Sequence, residues 1–188
     1  ILVVTPSNPT GWVMQQEQMT QLLAIARERG LWIIADEVYS RLTLDAPRAP
    51  SFLDVADSRD RLFVINSFSK AWAMTGWRLG WIVGPPFAQA SVRDLALYNN
   101  MGPSTFLQHG AMEALENGEN FIEEQCEVWR ANRQYVYDTL TAYDHVEMPW
   151  PEATFYAMFK THKQPDCMAL GRQLIDDQAL SLAPGCAF

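Results

Sequence analysis

Four short apolar runs, Leu2–Thr5, Leu31–Ala35, Leu62–Asn66 and Leu79–Val83, constrain what this 188-residue chain can fold into. Each is only 4 to 5 residues long and apolar on both alternating faces, as expected of strands covered by helices on both sides. The first two flank a helical stretch, Gln15 to Arg29. Within it Met19, Leu22, Leu23 and Ala26 recur at i, i+3, i+4 and i+7, and Gly30 stands where a helix stops. That is a βαβ unit, whose strands run parallel. Between Asn66 and Leu79 lie twelve residues with no helix long enough to cross a sheet face, so the fourth run returns antiparallel to the third.

The connection from Glu37 to Arg61, with Pro47 and Pro50, reads as mostly irregular. Beyond Gly84 the chain turns helical, over Phe87 to Tyr98, Ser104 to Glu116 with Ser104 as N-cap, and Asn120 to Tyr143. The last of these carries Ile122, Cys126, Trp129, Val136, Leu140 and Tyr143 as its buried stripe. Short strands follow near Val146 and at Thr154–Phe159, then a helix from Asp166 to Gln178 and a strand at Leu180–Ala183. The fold class expected is α/β, with a mostly parallel, helix-covered sheet in residues 1–118. Residues 119–188 are expected to hold a long interdomain helix and part of a smaller α/β domain.

Composition removes several functions. Fourteen basic against 22 acidic residues give a formal charge of −8, with no basic stripe to neutralise a row of phosphates, which speaks against nucleic acid as a partner. No apolar run approaches the ~20 residues of a membrane helix, so no membrane partner is expected. Cys126, Cys167 and Cys186 are odd in number and widely spaced; they match no metal pattern or disulfide framework and read as free thiols of a cytoplasmic protein. Ile1 lies inside an apolar run and Pro184-Gly185-Cys186-Ala187-Phe188 reads as a loop leading onward, so the chain is expected to be an internal piece of a longer protein.

In open α/β sheets ligands bind beyond the carboxyl ends of the strands. The first run leads into Ser7-Asn8-Pro9-Thr10-Gly11, the second into Asp36-Glu37-Val38-Tyr39, the third into Ser67-Phe68-Ser69-Lys70. Arg78 immediately precedes the antiparallel fourth run and so belongs to the same edge. Asn8, Asp36, Tyr39, Ser67, Ser69, Lys70 and Arg78 therefore converge. Singly, each has a structural explanation: a turn, a cap, a solvated lysine, a surface ion pair. Trp72, Trp77 and Trp81 read as packing. The joint order and the shared edge outweigh those explanations.

These segments, together with the continuous stretch from Ser67 to Gly80, closely resemble the class I/II aminotransferases, pyridoxal-phosphate enzymes of fold type I. The arginine eight positions after the lysine and the upstream Asp-x-x-Tyr match in order and spacing. The resemblance implies that Lys70 holds pyridoxal 5'-phosphate as an internal Schiff base and then moves the substrate's α-proton. Asp36 would pair with the pyridine nitrogen, Tyr39 and Asn8 with the ring's phenolic oxygen, and Ser67, Arg78 and more weakly Ser69 with the phosphate. Glu37 receives no role, and no metal site is expected. Implied substrates are an L-amino acid and a 2-oxo acid, and the implied assembly is a homodimer approached by Met101-Gly102-Pro103-Ser104. The family's phosphate loop, ring-stacking aromatic and substrate-carboxylate arginine would lie outside this sequence. Two alternatives stay open: a carbon–sulfur β-lyase using the same lysine, and a non-catalytic sensor domain of a transcription regulator.

Overall fold

The computed structural model describes all residues, 1–188. Its main sheet has four strands, β1 (Leu2–Val4), β2 (Ile33–Asp36), β3 (Leu62–Ser67) and β4 (Gly80–Val83), hydrogen-bonded in that order. Strands β1 and β2 pair parallel with Val4 opposite Asp36, and β2 and β3 pair parallel with Asp36 opposite Ile65. Strand β4 is antiparallel to β3, with Ser67 opposite Gly80. The twelve-residue connection thus behaves as its length requires. It contains a single helical turn, α2 (Phe68–Ala71), and a 3₁₀ turn at Thr75–Trp77.

Helix α1 (Gln16–Arg29) crosses between β1 and β2 and ends at Gly30, which adopts the left-handed conformation and donates its N–H to the carbonyls of Ala26 and Arg27. Its Met19, Leu23 and Ala26 pack with Ile33, Ala35, Leu62 and Val64 of the sheet and with Phe52. This is the largest core of the chain. On the opposite sheet face Ile34 stays 39% and Ile82 52% exposed, so within these residues helices cover one face.

The 37–61 connection is irregular apart from a 3₁₀ turn at Phe52–Asp54. What seats Phe52 is Glu37, a buried carboxylate that accepts the Phe52 N–H at 2.8 Å. Glu37 therefore has a structural role that its place in the sequence did not show. Burial pushes its carboxyl above the usual value, against the pull of its hydrogen bonds from Ser51 and Phe52. A carboxyl raised in the folded state gives full stability below its unfolded value, and that contribution is lost as pH rises through the folded one. Glu37→Gln keeps an acceptor for Phe52 without the buried charge. The variant should melt at least as high as wild type near neutral pH, by about 2–4 °C for each kcal/mol relieved. The gap should close on acidification; a gap that widens in thermal melts at falling pH would sink this account.

Helices α3 (Gln89–Asn100), α4 (Thr105–Asn117) and α5 (Glu119–Thr141) follow. Ser104 occupies the N-cap position of α4 but forms no side-chain cap. Ile122 and Cys126 of α5 are buried against Tyr39, Leu42 and Ala71, while Tyr143, expected in the buried stripe, lies past the helix end and is exposed. Farther along α5, Arg133 pairs with Asp45 at 2.6 Å and stacks on Trp150 at 4.1 Å, which fastens the helix to the loop after Tyr39. No helix is long and apolar enough to cross a membrane.

The tail departs from expectation in three places. Strand β5 (Val146–Glu147) pairs antiparallel with β6 (Lys160–Thr161), whereas Thr154–Phe159 is not a strand. Thr154 has φ 71°, a left-handed conformation that ends any extended run there. Leu180–Ala183, after helix α6 (Cys167–Gln178), is irregular, because no neighbouring strand offers it a ladder. Finally, only Cys126 is a free thiol; Cys167 and Cys186 form a disulfide across 6.6 Å between Cα atoms. The fold brings the first residue of α6 against the 3₁₀ turn Gly185–Ala187, a proximity that a separation of 19 residues does not advertise.

Candidate active site

Three parallel strands deliver their carboxyl ends to one edge of the sheet, and β4 starts there. Asp36 is the last residue of β2 and accepts the Val38 N–H through Oδ1 at 3.2 Å; its Oδ2 has no hydrogen-bond partner in the chain. Three residues on, Tyr39 is buried at 3% exposure. Ser67 ends β3 and caps α2, its Oγ accepting the Ser69 N–H at 3.0 Å and donating to the Leu79 carbonyl at 3.2 Å. That cap orients the single turn carrying Lys70, whose Nζ stands 5.7 Å from the centre of the Tyr39 ring and 6.0 Å from that of Phe155.

Arg78 is exposed in a left-handed conformation (φ 52°) just before β4, and one guanidinium nitrogen donates to the Thr75 carbonyl at 2.8 Å. Asn8 lies on the turn after β1, its amide close enough to the Tyr39 hydroxyl to favour the phenolate. The turn is pinned from the far end of the chain: Gly11, at φ 72°, accepts the Ala153 N–H at 3.1 Å. A Cβ at Gly11 would come within 2.7 Å of the Ala153 carbonyl, so only glycine permits this approach.

Burial pushes the Tyr39 phenol up, and so do its hydrogen bond with Tyr156 and the nearby Asp36 carboxylate, while Asn8 works in the opposite direction. Asp36, Lys70 and Arg78 belong to none of the chain's salt bridges. All three are therefore free to meet a ligand at this edge.

The structure brings Asn8, Asp36, Tyr39 and Lys70 together. Of the serines, Ser67 spends its hydroxyl on the α2 cap, whereas the Ser69 hydroxyl has no partner in the chain. Trp72 and Trp81 pack around Phe68, with centroids at 5.1 and 5.0 Å, and Trp77 lies over Gly110, consistent with a packing role. Sequence reasoning missed Phe155 and Tyr156. They reach Tyr39 across more than a hundred residues, with centroids at 5.9 and 5.7 Å, and no local signal marks them.

The fold is an open α/β sheet with polar groups gathered at the carboxyl ends of its strands, and comparison with known proteins identifies the family. The profile of "Aminotransferase class I and II" matches residues 1–188, and the chain belongs to that family. Among curated relatives, the LL-diaminopimelate aminotransferase of Desulforudis audaxviator is 31% identical over 187 residues, spanning 97% of this chain and 46% of the relative. The aspartate aminotransferase of Thermotoga maritima is 31% identical over 188 residues, or 100% and 48%. The crystal structure of that Thermotoga maritima enzyme superposes with a TM-score of 0.90 over 99% of this chain and 48% of its own. An aromatic aminotransferase from Pyrococcus horikoshii, 26% identical, also gives 0.90, over 99% and 50%. The chain spans about half the length of the curated relatives it matches.

The family's cofactor is pyridoxal 5'-phosphate, and the donor set fits it. Lys70 would provide an amine for the aldehyde, and Asp36, with its free carboxylate oxygen, a partner for a protonated ring nitrogen. Tyr39 would offer a phenol for the ring oxygen, and Arg78 with the Ser69 hydroxyl would have donors for the phosphate.

Proposed function

We propose that the full-length protein is a pyridoxal-phosphate-dependent aminotransferase that moves an amino group between an L-amino acid and a 2-oxo acid, acting as a cytoplasmic homodimer. The observation that supports this reading best is the edge carrying Asp36, Lys70 and Arg78, none of them ion-paired, in a chain of net charge −8. The relatives named aspartate and LL-diaminopimelate aminotransferase favour transamination over β-elimination or sensing.

When bound, the cofactor supplies a protonated ring that accepts the electron pair left by the substrate's α-carbon. The chain does the rest. Lys70 Nζ would hold the cofactor covalently and, once free, would act as the general base and acid that moves the substrate's α-proton. Asp36 would hold the cofactor through its ring nitrogen, pairing with that nitrogen's proton. Tyr39 and Asn8 would orient the ring through its oxygen, and the rings of Tyr39 and Phe155 flank the lysine amine at 5.7 and 6.0 Å. Arg78 would hold the phosphate with a planar fork that lysine lacks.

Arg78→Lys retains the charge and loses the fork. Cofactor affinity should fall about tenfold to a hundredfold, the equilibrium worth of one or two charge-assisted hydrogen bonds; unchanged affinity in a fluorescence titration would remove Arg78 from the phosphate site. The proposed function is tested by loading the full-length protein with pyridoxal phosphate, reducing with borohydride, mapping the labelled peptide, and assaying amino donors with and without an oxo-acid acceptor. Label on Lys70 with acceptor-dependent turnover supports it. Pyruvate release without an acceptor would instead indicate a lyase.

A further inference from the structure

We propose that Tyr156 is a positioning residue of this site: its hydroxyl, 2.9 Å from that of Tyr39, hydrogen-bonds the Tyr39 phenol and can turn donor to it when the Tyr39 proton is given to a ligand. The inference rests on the site reading above and adds to it a residue from a distant part of the chain.

A phenol has one proton to donate and lone pairs with which to accept. The two hydroxyls share one hydrogen bond, so one donates and the other accepts. If Tyr39 donated to Tyr156 it would have no proton left for a ligand oxygen. In the chain alone this bond pushes the Tyr39 phenol up, as it does when Tyr39 is the donor; an acceptor bound at Tyr39 takes that proton, and Tyr156 then donates to Tyr39 in its place. A bound acceptor therefore sets the polarity of the pair, and Tyr156 completes the hydrogen bonding of a phenol that is nearly inaccessible to water.

The backbone around Tyr156 is built to hold it. Thr154 sits in the left-handed region at φ 71°, costly for a β-branched residue and maintained only when its surroundings impose it. Those surroundings are hydrogen bonds: the Thr154 N–H donates to the Leu42 carbonyl at 2.7 Å, and its Oγ1 accepts the Tyr156 N–H at 3.2 Å. Ala153 bridges to Thr43 beside it. The segment that carries Tyr156 is thus tied to the loop that carries Tyr39, three residues after that tyrosine. The two rings meet edge to face with centroids 5.7 Å apart.

The groups facing the Tyr39 phenol are few. They are Tyr156, the Asn8 amide, the Asp36 carboxylate and the Lys70 amine over the ring; on α5 the nearest titratable group is the buried Cys126 thiol, which burial keeps protonated. Tyr156 is the only one that contributes a hydroxyl.

The test uses the full-length protein loaded with pyridoxal phosphate and reads the pH midpoint of the bound cofactor's absorbance, a quantity independent of turnover. A proton donated to the ring oxygen stabilises the anionic form of the chromophore, so weakening that bond raises the midpoint. Tyr39→Phe should raise it most. Tyr156→Phe, which keeps the ring and its packing, should raise it in the same direction by about threefold to tenfold in proton affinity, the net worth of one hydrogen bond. The double variant should match Tyr39→Phe alone, because Tyr156 acts through Tyr39. A normal midpoint in Tyr156→Phe alongside a shifted one in Tyr39→Phe reduces Tyr156 to packing and overturns the inference while leaving the site reading intact. Additive shifts overturn it too, since Tyr156 would then act directly. A wild-type protein that takes up no chromophore overturns the site reading and this inference together.

Discussion

Lys70→Ala should leave the full-length protein folded, able to bind pyridoxal phosphate by its phosphate and ring contacts, and unable to retain it through borohydride reduction and denaturation. Transamination should fall by at least about 10⁴-fold, because the substitution removes both the covalent holder and the group that moves the α-proton. The fold should survive because Lys70 forms no ion pair and its Nζ supports only ring contacts, with Tyr39 and Phe155. The α2 turn is held by Ser67 Oγ and by Ala71, buried against Tyr39 and Ile122, rather than by the lysine. The decisive readout is the mass of the reduced protein beside its thermal midpoint. A retained adduct in the variant would place the holder elsewhere, whatever the activity.

Asp36→Asn should separate binding from chemistry. The carboxylate ends β2 between two parallel neighbours, Val4 on one side and Ile65 on the other, so its position comes from the sheet and survives the change to an amide. Asparagine can still accept the Val38 N–H that Oδ1 accepts now. What disappears is the negative charge that keeps the ring nitrogen protonated. We expect covalent loading to persist and the rate of α-proton removal to fall about 10²–10³-fold, the scale of losing one preorganised electrostatic partner. Single-turnover absorbance changes with a deuterated α-carbon would show it, since the isotope effect should grow as that step becomes limiting. Near-normal turnover would mean that another group holds the nitrogen.

How far the sequence could be read follows from which interactions are local. The βαβ unit was legible because the i, i+3, i+4, i+7 pattern of Met19, Leu22, Leu23 and Ala26 is set by helix geometry alone, and Leu22, the partly buried member, packs against the same core. The antiparallel return of β4 was legible because the twelve connecting residues hold no helix long enough to cross a sheet face. Reading failed where a segment's conformation depends on a distant partner. Thr154–Phe159 has the composition of a strand, yet Thr154 is drawn into a left-handed turn by hydrogen bonds to the Leu42 loop. Leu180–Ala183 has the composition of a strand and no neighbour to pair with.

By itself, then, the order of residues determined the strands' sequence and direction. It also determined which chemistry reaches the shared edge, because a residue ending a parallel strand can lie only at that end of the sheet. Only the tertiary structure decided which groups are spoken for. Packing turned Glu37 into a buried acceptor for Phe52 and paired Cys167 with Cys186. It left Asp36, Lys70 and Arg78 without ionic partners and set Tyr156 against Tyr39 from 117 residues away. Such pairings depend on a few ångströms between side chains far apart in the chain, and local periodicity carries no record of those distances.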